Sequence, residues 1–216
     1  MKKFTITVVI WVFILGSFSC TDENKSALTD AQQLAALKNV DFSYKEMDLS
    51  FQFPEGALNG QTLADLIKLD SSKYASPANY GISFSLMMNA DNTGSSASDA
   101  KFDGMLIDII MDTISSSPVE LLADAFEIKK NETKDVNALG EINLKTHRLT
   151  GLYIFQQAVD GNDIETTLSP EIFYKIGLID GSFPIPDLHQ NIPTRASDET
   201  KAFLRDLLNS GIFNEQ

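Results

Sequence analysis

The chain has one cysteine, Cys20, and two histidines, His147 and His189, among its 216 residues. A single thiol cannot close a disulfide within the chain and offers no thiol pair to a metal. His147 and His189 stand 42 positions apart, and neither belongs to a His-x-x-x-His or His-Glu pair. Adjacent imidazole ligands for zinc are therefore not expected, and both histidines read as ordinary surface or loop residues. There is no Gly-x-Ser-x-Gly elbow, no Gly-x-x-x-x-Gly-Lys-Ser/Thr phosphate loop and no Gly-x-Gly-x-x-Gly turn, which lowers the odds of the common hydrolase, nucleotidase and dehydrogenase chemistries. Positive charge is scarce, with 17 Lys and Arg against 30 Asp and Glu. That balance opposes nucleic acid and anionic membrane surfaces as partners. The only tryptophan is Trp11, inside an N-terminal apolar run, so the rest of the chain has no indole on which to stack a sugar.

What is present begins at the N-terminus. Lys2 and Lys3 precede the apolar run Val8 to Leu15, followed by Gly16-Ser17-Phe18-Ser19 and then Cys20. This is the order of charge, apolar core and small-residue cleavage site found in a secretory signal. The run falls short of the roughly 20 residues that span a bilayer as a helix, and no basic stop-transfer flank follows it. Its end resembles the lipidation site of bacterial lipoproteins, in which a diacylglycerol is attached to the cysteine and the signal is cut just before it. Thr21-Asp22-Glu23-Asn24 resembles the acidic export signals that follow the cysteine in Bacteroidetes lipoproteins. The resemblance implies residues 1–19 as signal peptide, Cys20 as the lipidated residue and 20–28 as a tether. The expected location is the cell envelope, lipid-anchored at the outer membrane and either periplasmic or surface-exposed. Two of the basic and none of the acidic residues precede Cys20, which leaves 15 positive against 30 negative charges in the mature chain.

The remainder is long enough for one domain. Thr29-Asp30-Ala31-Gln32 has the form of a capping box and predicts a helix over about 29–38. Val40, Phe42 and Tyr44, then Leu49, Phe51 and Phe53, alternate as strands with one buried face do. Thr62 to Leu69 reads as a helix and Ser71 to Asn79 as a loop. Alternating or apolar segments at Tyr80–Met87, Phe102–Ile109, Val119–Ile128 and Val136–Leu144 read as strands. Asp103-Gly104, Asp160-Gly161 and Asp180-Gly181 are candidate tight turns. Residues 149–159 suit either element and lean to helix. Ile172–Ile179 with Ser182–Pro186 reads as a hairpin that ends in a proline-stiffened segment. Ser197 caps a last helix with Phe203, Leu204, Leu207 and Leu208 as its apolar stripe, closed by Gly211. The pattern predicts a mainly β fold with flanking short helices, a domain over 29–190 and a C-terminal helix within 191–216 packed on it.

The run Ile82-Ser83-Phe84-Ser85-Leu86-Met87-Met88-Asn89-Ala90-Asp91-Asn92 resembles the strand ending in Asn-Pro-Asn of the LEA-2 (LEA14-like, water-stress/hypersensitive-response) domain. Phe102–Asp108 and Ala125–Val136 follow in the corresponding order. The resemblance spans about residues 40–145 and implies an immunoglobulin- or fibronectin-like β-sandwich, a non-enzymatic role and an association with stress protection or binding.

No catalytic, cofactor-binding or metal site is expected. Asn89 to Gly94 spaces oxygen side chains as a calcium loop does, but its twelfth position, where a bidentate Glu belongs, is Ala100, so it reads as a plain turn. Asp108 with Asp112, and Glu120 with Asp124, are spaced for acid/base work, although on so acidic a chain solvated faces are the better reading. The expected function is a lipid-anchored binding or structural module without catalytic activity, whose partners are the membrane through Cys20 and an unknown protein or apolar ligand. One alternative is an apolar-ligand or lipid-binding protein with Met87, Met88, Met105 and Met111 lining an adaptable pocket. The other is a carboxylate-dependent enzyme.

Overall fold

The computed structural model describes residues 30, 32–94, 98–111, 113–114 and 117–213. Cys20, the signal segment and the tether lie outside the described residues, as does Asp112. Residues 32–38 are helical (α1), as the capping box predicts. Ten strands follow among the described residues: β1 (Asp41–Gln52), β2 (Gly81–Asp91), β3 (Ala100–Phe102), β4 (Gly104–Met111), β5 (Val119–Ala123), β6 (Phe126–Ile128), β7 (Thr133–Asn143), β8 (Asp163–Ile176), β9 (Ile179–Pro184) and β10 (Leu188–Pro193). Between and after them stand α2 (Leu63–Leu69), α3 (Ser71–Tyr74), a 3-10 turn at Pro77–Asn79, α4 (Arg148–Asp160) and α5 (Asp198–Asn209). No helix among the described residues is long and apolar enough to cross a membrane.

The mainly β expectation holds. Eight strands join one curled antiparallel sheet in the order β1-β2-β7-β5-β4-β8-β10, with β9 paired to β8, and β3 and β6 form a separate pair. β5 meets β7 at the pair Leu122–Leu139, whereas β2 and β7 pair along their whole length from Gly81–Asn143 to Asp91–Thr133. Alternation decides which side chains enter the core: Met105, Ile107, Ile109 and Met111 of β4 are buried, while Leu106, Asp108 and Ile110 point outward. In β1 the parity of the apolar positions changes along the strand. A bulge between Tyr44 and Glu46 supplies the extra residue, so Phe42 and Tyr44 on one side of it and Met47, Leu49 and Phe51 on the other all meet the core.

The helices close over that core. Ile154, Phe155 and Ala158 of α4 and Phe203, Leu204 and Leu207 of α5 are buried. Phe155 packs edge-on to Phe51 with ring centroids 5.7 Å apart, and Phe203 meets Phe53 at 5.0 Å. Ser197 caps α5 by accepting the Thr200 N–H at 3.1 Å, and Gly211, with φ +72°, takes the left-handed conformation just beyond its end. Tyr80 is buried beneath these helices and donates to the Tyr74 carbonyl at 2.6 Å. Burial pushes its phenol up to about 12, so the neutral donor persists across the physiological range.

Several local expectations are corrected. The segment Ser71–Asn79 is not a loop, because the Asp70 side chain accepts the Lys73 N–H at 3.0 Å and caps a short helix there. Val119–Ile128 is not one strand but β5 and β6, which pair with different partners. Asp180-Gly181 is not a turn: both residues lie in β9 opposite Lys175 and Tyr174, and the hairpin turns three residues earlier, at Gly177-Leu178. Gly161 ends α4 with φ +74°, so Asp160-Gly161 is a helix stop rather than a hairpin turn.

Candidate functional site

Where β7 runs into α4, the chain turns sharply around Asn143. The Asn143 side-chain oxygen accepts the N–H groups of Lys145 and Thr146 at 3.0 and 3.1 Å, and its backbone oxygen accepts the His147 N–H at 2.9 Å. This local bonding fixes the run Lys145-Thr146-His147-Arg148 on the surface. It also holds Lys145 and Arg148 over a cleft of about 280 Å³ lined by Ser76, Pro77, Ala78, Leu144, Ile212 and Phe213. Three distant stretches of sequence thus converge, and the cleft's apolar lining comes from the residue after β7, the 3-10 turn and the residues after α5. Phe213 is anchored from behind by Tyr80, with ring centroids 6.2 Å apart. Gly151 brings α4 down onto Leu144, since a Cβ there would sit 2.9 Å from Leu144 Cγ.

The electrostatics of this cleft are unusual for so acidic a chain. Neither Lys145 nor Arg148 forms an ion pair among the described residues. The Nε of Arg148 is buried without a hydrogen-bond partner, an arrangement that leaves a charged donor undersatisfied. Arg148 is also the first residue of α4, whose first turn has no acid and whose N-cap, His147, makes no side-chain capping bond. A cation there opposes the positive end of the helix dipole. A planar guanidinium, an ammonium and an apolar floor together suit a small anion with an apolar body: the guanidinium matches a carboxylate's geometry, and Leu144, Ile212 and Phe213 take the hydrocarbon. A second hollow, of about 440 Å³, carries Arg195 and Lys201 beside Asp163, but it lacks the apolar floor and the buried unpaired nitrogen.

The residues singled out from sequence are placed as follows. His147 precedes α4 and shares a hydrogen bond of 2.9 Å between its Nδ1 and Thr146 Oγ1, while His189 lies on β10 and shares one of 2.9 Å with Thr167 Oγ1. No cluster of three or more His, Cys, Asp or Glu able to hold a metal occurs among the described residues. Asn89 and Asp91 are strand residues of β2, and Asn92 is buried with its amide nitrogen, not its oxygen, aimed at carbonyls. Met88, Met105 and Met111 are packed into the core while Met87 points to the opposite face, so these four methionines do not line one pocket.

Asp108 lies directly opposite Glu120 across β4 and β5, on the outward face. Like charges so placed are destabilising. Glu120→Lys is therefore expected to raise stability by ~0.5 kcal/mol, read as an upward shift in thermal midpoint that added salt reduces. An unchanged midpoint would mean that solvent already screens the pair.

Lys145, Arg148 and the cleft they guard were not anticipated from sequence. The available signal was a basic stretch, Lys145-Thr146-His147-Arg148, opening a helix with no acid in its first turn.

No protein-family model matches the chain, and no curated protein matches it. A solved structure described as a protein from Archaeoglobus fulgidus is similar over 72% of this chain and 100% of that chain, with 8% sequence identity and a TM-score of 0.38.

Proposed function

We propose that this protein is a lipid-anchored binding module of the bacterial cell envelope, tethered through Cys20 and without catalytic activity, which holds a small anion with an apolar body in the cleft beneath Lys145 and Arg148. The observation that carries the binding role is the unpaired, buried Nε of Arg148 beside an apolar floor. The LEA-2-like sandwich reading is part of the proposal. It is supported by the antiparallel pairing of the curled sheet and by the single pair, Leu122–Leu139, that joins β5 to β7 within it.

Two measurements test the function. Growing cells fed a clickable palmitate should label the wild-type chain and not Cys20→Ala; equal labelling, or none, removes the anchor. In solution, 3-phenylpropanoate at low ionic strength should bind the wild type and bind Arg148→Gln at least tenfold more weakly, a loss of ~1.4 kcal/mol, with the neutral 3-phenylpropanamide bound no better by either. Arg148→Gln should melt no lower than the wild type, because it removes a cation from a helix N-terminus. Equal binding of acid and amide, or weaker binding accompanied by a lower melting temperature, would overturn the proposed anion site.

A further inference from the structure

The β8–β9 hairpin ends in a two-residue connection, Gly177-Leu178, between the paired residues Ile176 and Ile179. Gly177 has φ +60°, the left-handed conformation that lets so short a connection follow the twist of the strands. The turn leaves Leu178 99% exposed and Ile179 56% exposed. A single exposed apolar side chain is ordinary on a protein surface. Two in succession at the apex of a hairpin, one of them wholly in solvent, form a projecting apolar tip.

Its position gives the tip a partner. The Asp30 carboxylate lies against Gly177, since a Cβ at that glycine would be 3.5 Å from Asp30 Oδ2. Asp30 is ten residues after Cys20. Ten residues reach at most about 35 Å even when fully extended. A domain of this length has a radius of gyration of roughly 16 Å, and hence a diameter of about 40 Å. The tether is shorter than the body it holds, so the side that carries Asp30 is kept toward the anchored lipid.

We infer that the Leu178–Ile179 tip of the β8–β9 hairpin inserts shallowly into the bilayer that carries the lipid anchor and so sets the orientation of the domain on it. The inference rests on the proposed lipidation at Cys20. The bonds between Ile176 and Ile179 already satisfy hairpin backbone groups, which eases entry of the tip into an apolar medium. One rung further from the apex, Lys175 and Asp180 pair at 3.2 Å. These charges remain at the headgroup level and limit insertion to about two residues, ~7 Å along the strand, the depth at which interfacial segments bury their apolar side chains. Lys175 offsets Asp180, and the Asp30 carboxylate beside Gly177 adds a further negative charge, which is met by the ammonium of an ethanolamine headgroup and disfavours an anionic lipid surface. The cleft of Lys145 and Arg148 is built from other segments, so a domain held by its hairpin tip keeps a separate ligand site.

The test uses the absence of tryptophan after Trp11. Leu178→Trp and, as control, Leu139→Trp on the outward face of β7 each give the lipidated chain a single indole in its mature part. Each protein, purified with its acyl chains, is mixed with vesicles of phosphatidylethanolamine and phosphatidylcholine containing brominated acyl chains. The expected result is that the chain floats with the vesicles and that emission from position 178 shifts to the blue and loses at least half its intensity, while emission from 139 does not change. Replacing the ethanolamine lipid by phosphatidylglycerol should weaken the quenching at 178. If the chain floats and position 178 is quenched no more than 139, the tip does not insert and only this inference falls. A chain that does not float at all overturns the anchor reading and the orientation with it.

Discussion

Replacing Asn92 by Asp is expected to cost ~4 kcal/mol of folding stability at pH 7 and markedly less near pH 4. Asn92 is completely buried. Its amide nitrogen donates to the carbonyls of Ser98 and Lys129 at 2.7 and 3.1 Å and reaches that of Ile128 at 3.4 Å. Its backbone N–H donates to the Glu132 carbonyl at 2.9 Å, and its backbone carbonyl accepts the Asn131 N–H at 2.9 Å. The residue therefore ties the end of β2 to the start of β3 and to the turn between β6 and β7. Asp has the same shape but replaces the donor by an acceptor, so a carboxylate would face a set of carbonyl oxygens in a site that has already excluded water. Burial without a cation raises the folded pKa of the introduced carboxyl above its unfolded value of about 3.9. The sign follows: below that unfolded value both states hold the proton and the charge penalty is absent. The penalty then grows as pH rises to the folded pKa. Urea melts of Asn92→Asp and Asn92→Ser at the two pH values separate the effects. The serine variant loses hydrogen bonds but gains no charge, so its deficit should change little with pH. Equal deficits for the aspartate variant at both values would mean that water reaches the site.

Much of the fold was legible because alternation and capping are local signals. The helix at Asp198–Asn209 carries its cap, its acidic first turn and its stripe within a short window of sequence. The strands at Gly81–Asp91 and Gly104–Met111 likewise alternate between buried and more exposed positions. What was not legible depends on partners distant in the chain. The parity change between Tyr44 and Met47 looks like two strands until the register with β2 reveals the bulge. Leu152-Tyr153-Ile154-Phe155 is ambiguous because apolar residues occur on more than one side of α4, and only the packing of Ile154 and Phe155 under the helix decides it. Asp108 and Glu120 meet through strand pairing that spacing alone does not give. The cleft was the least legible feature. Its cations are adjacent in sequence, but Pro77, Ala78 and Phe213 reach it from segments far from Leu144, and no local pattern announces that convergence.

Phe155→Ala is expected to remove ~4 kcal/mol of stability, the value for a buried aromatic ring whose space the surroundings cannot fill. Phe155 has no solvent exposure, and it sits between α4 and the sheet with its ring edge-on to Phe51. Little can collapse into the gap. β1 is held along its length by β2, and one turn before Phe155, on the same face of the helix, Gly151 is held close against Leu144. Leu149, on the same helix, is 67% exposed, and Leu149→Ala should change stability by less than about 0.5 kcal/mol. The contrast separates burial from hydrophobicity, because both substitutions remove a large apolar side chain from one helix and replace it with the best helix former. Denaturant unfolding of the two variants with a common slope gives the comparison directly. A large loss at both positions would mean that helical propensity or self-association, rather than packing against β1, holds α4 in place. A large loss at Phe155 alone fixes α4 to the sheet, and with it the turn that presents Lys145 and Arg148. Phe155→Leu, which restores part of the volume, should then recover more than half of the lost stability together with binding of 3-phenylpropanoate. Recovery of stability without recovery of binding would mean that the cleft depends on the exact seat of the helix and not merely on its presence.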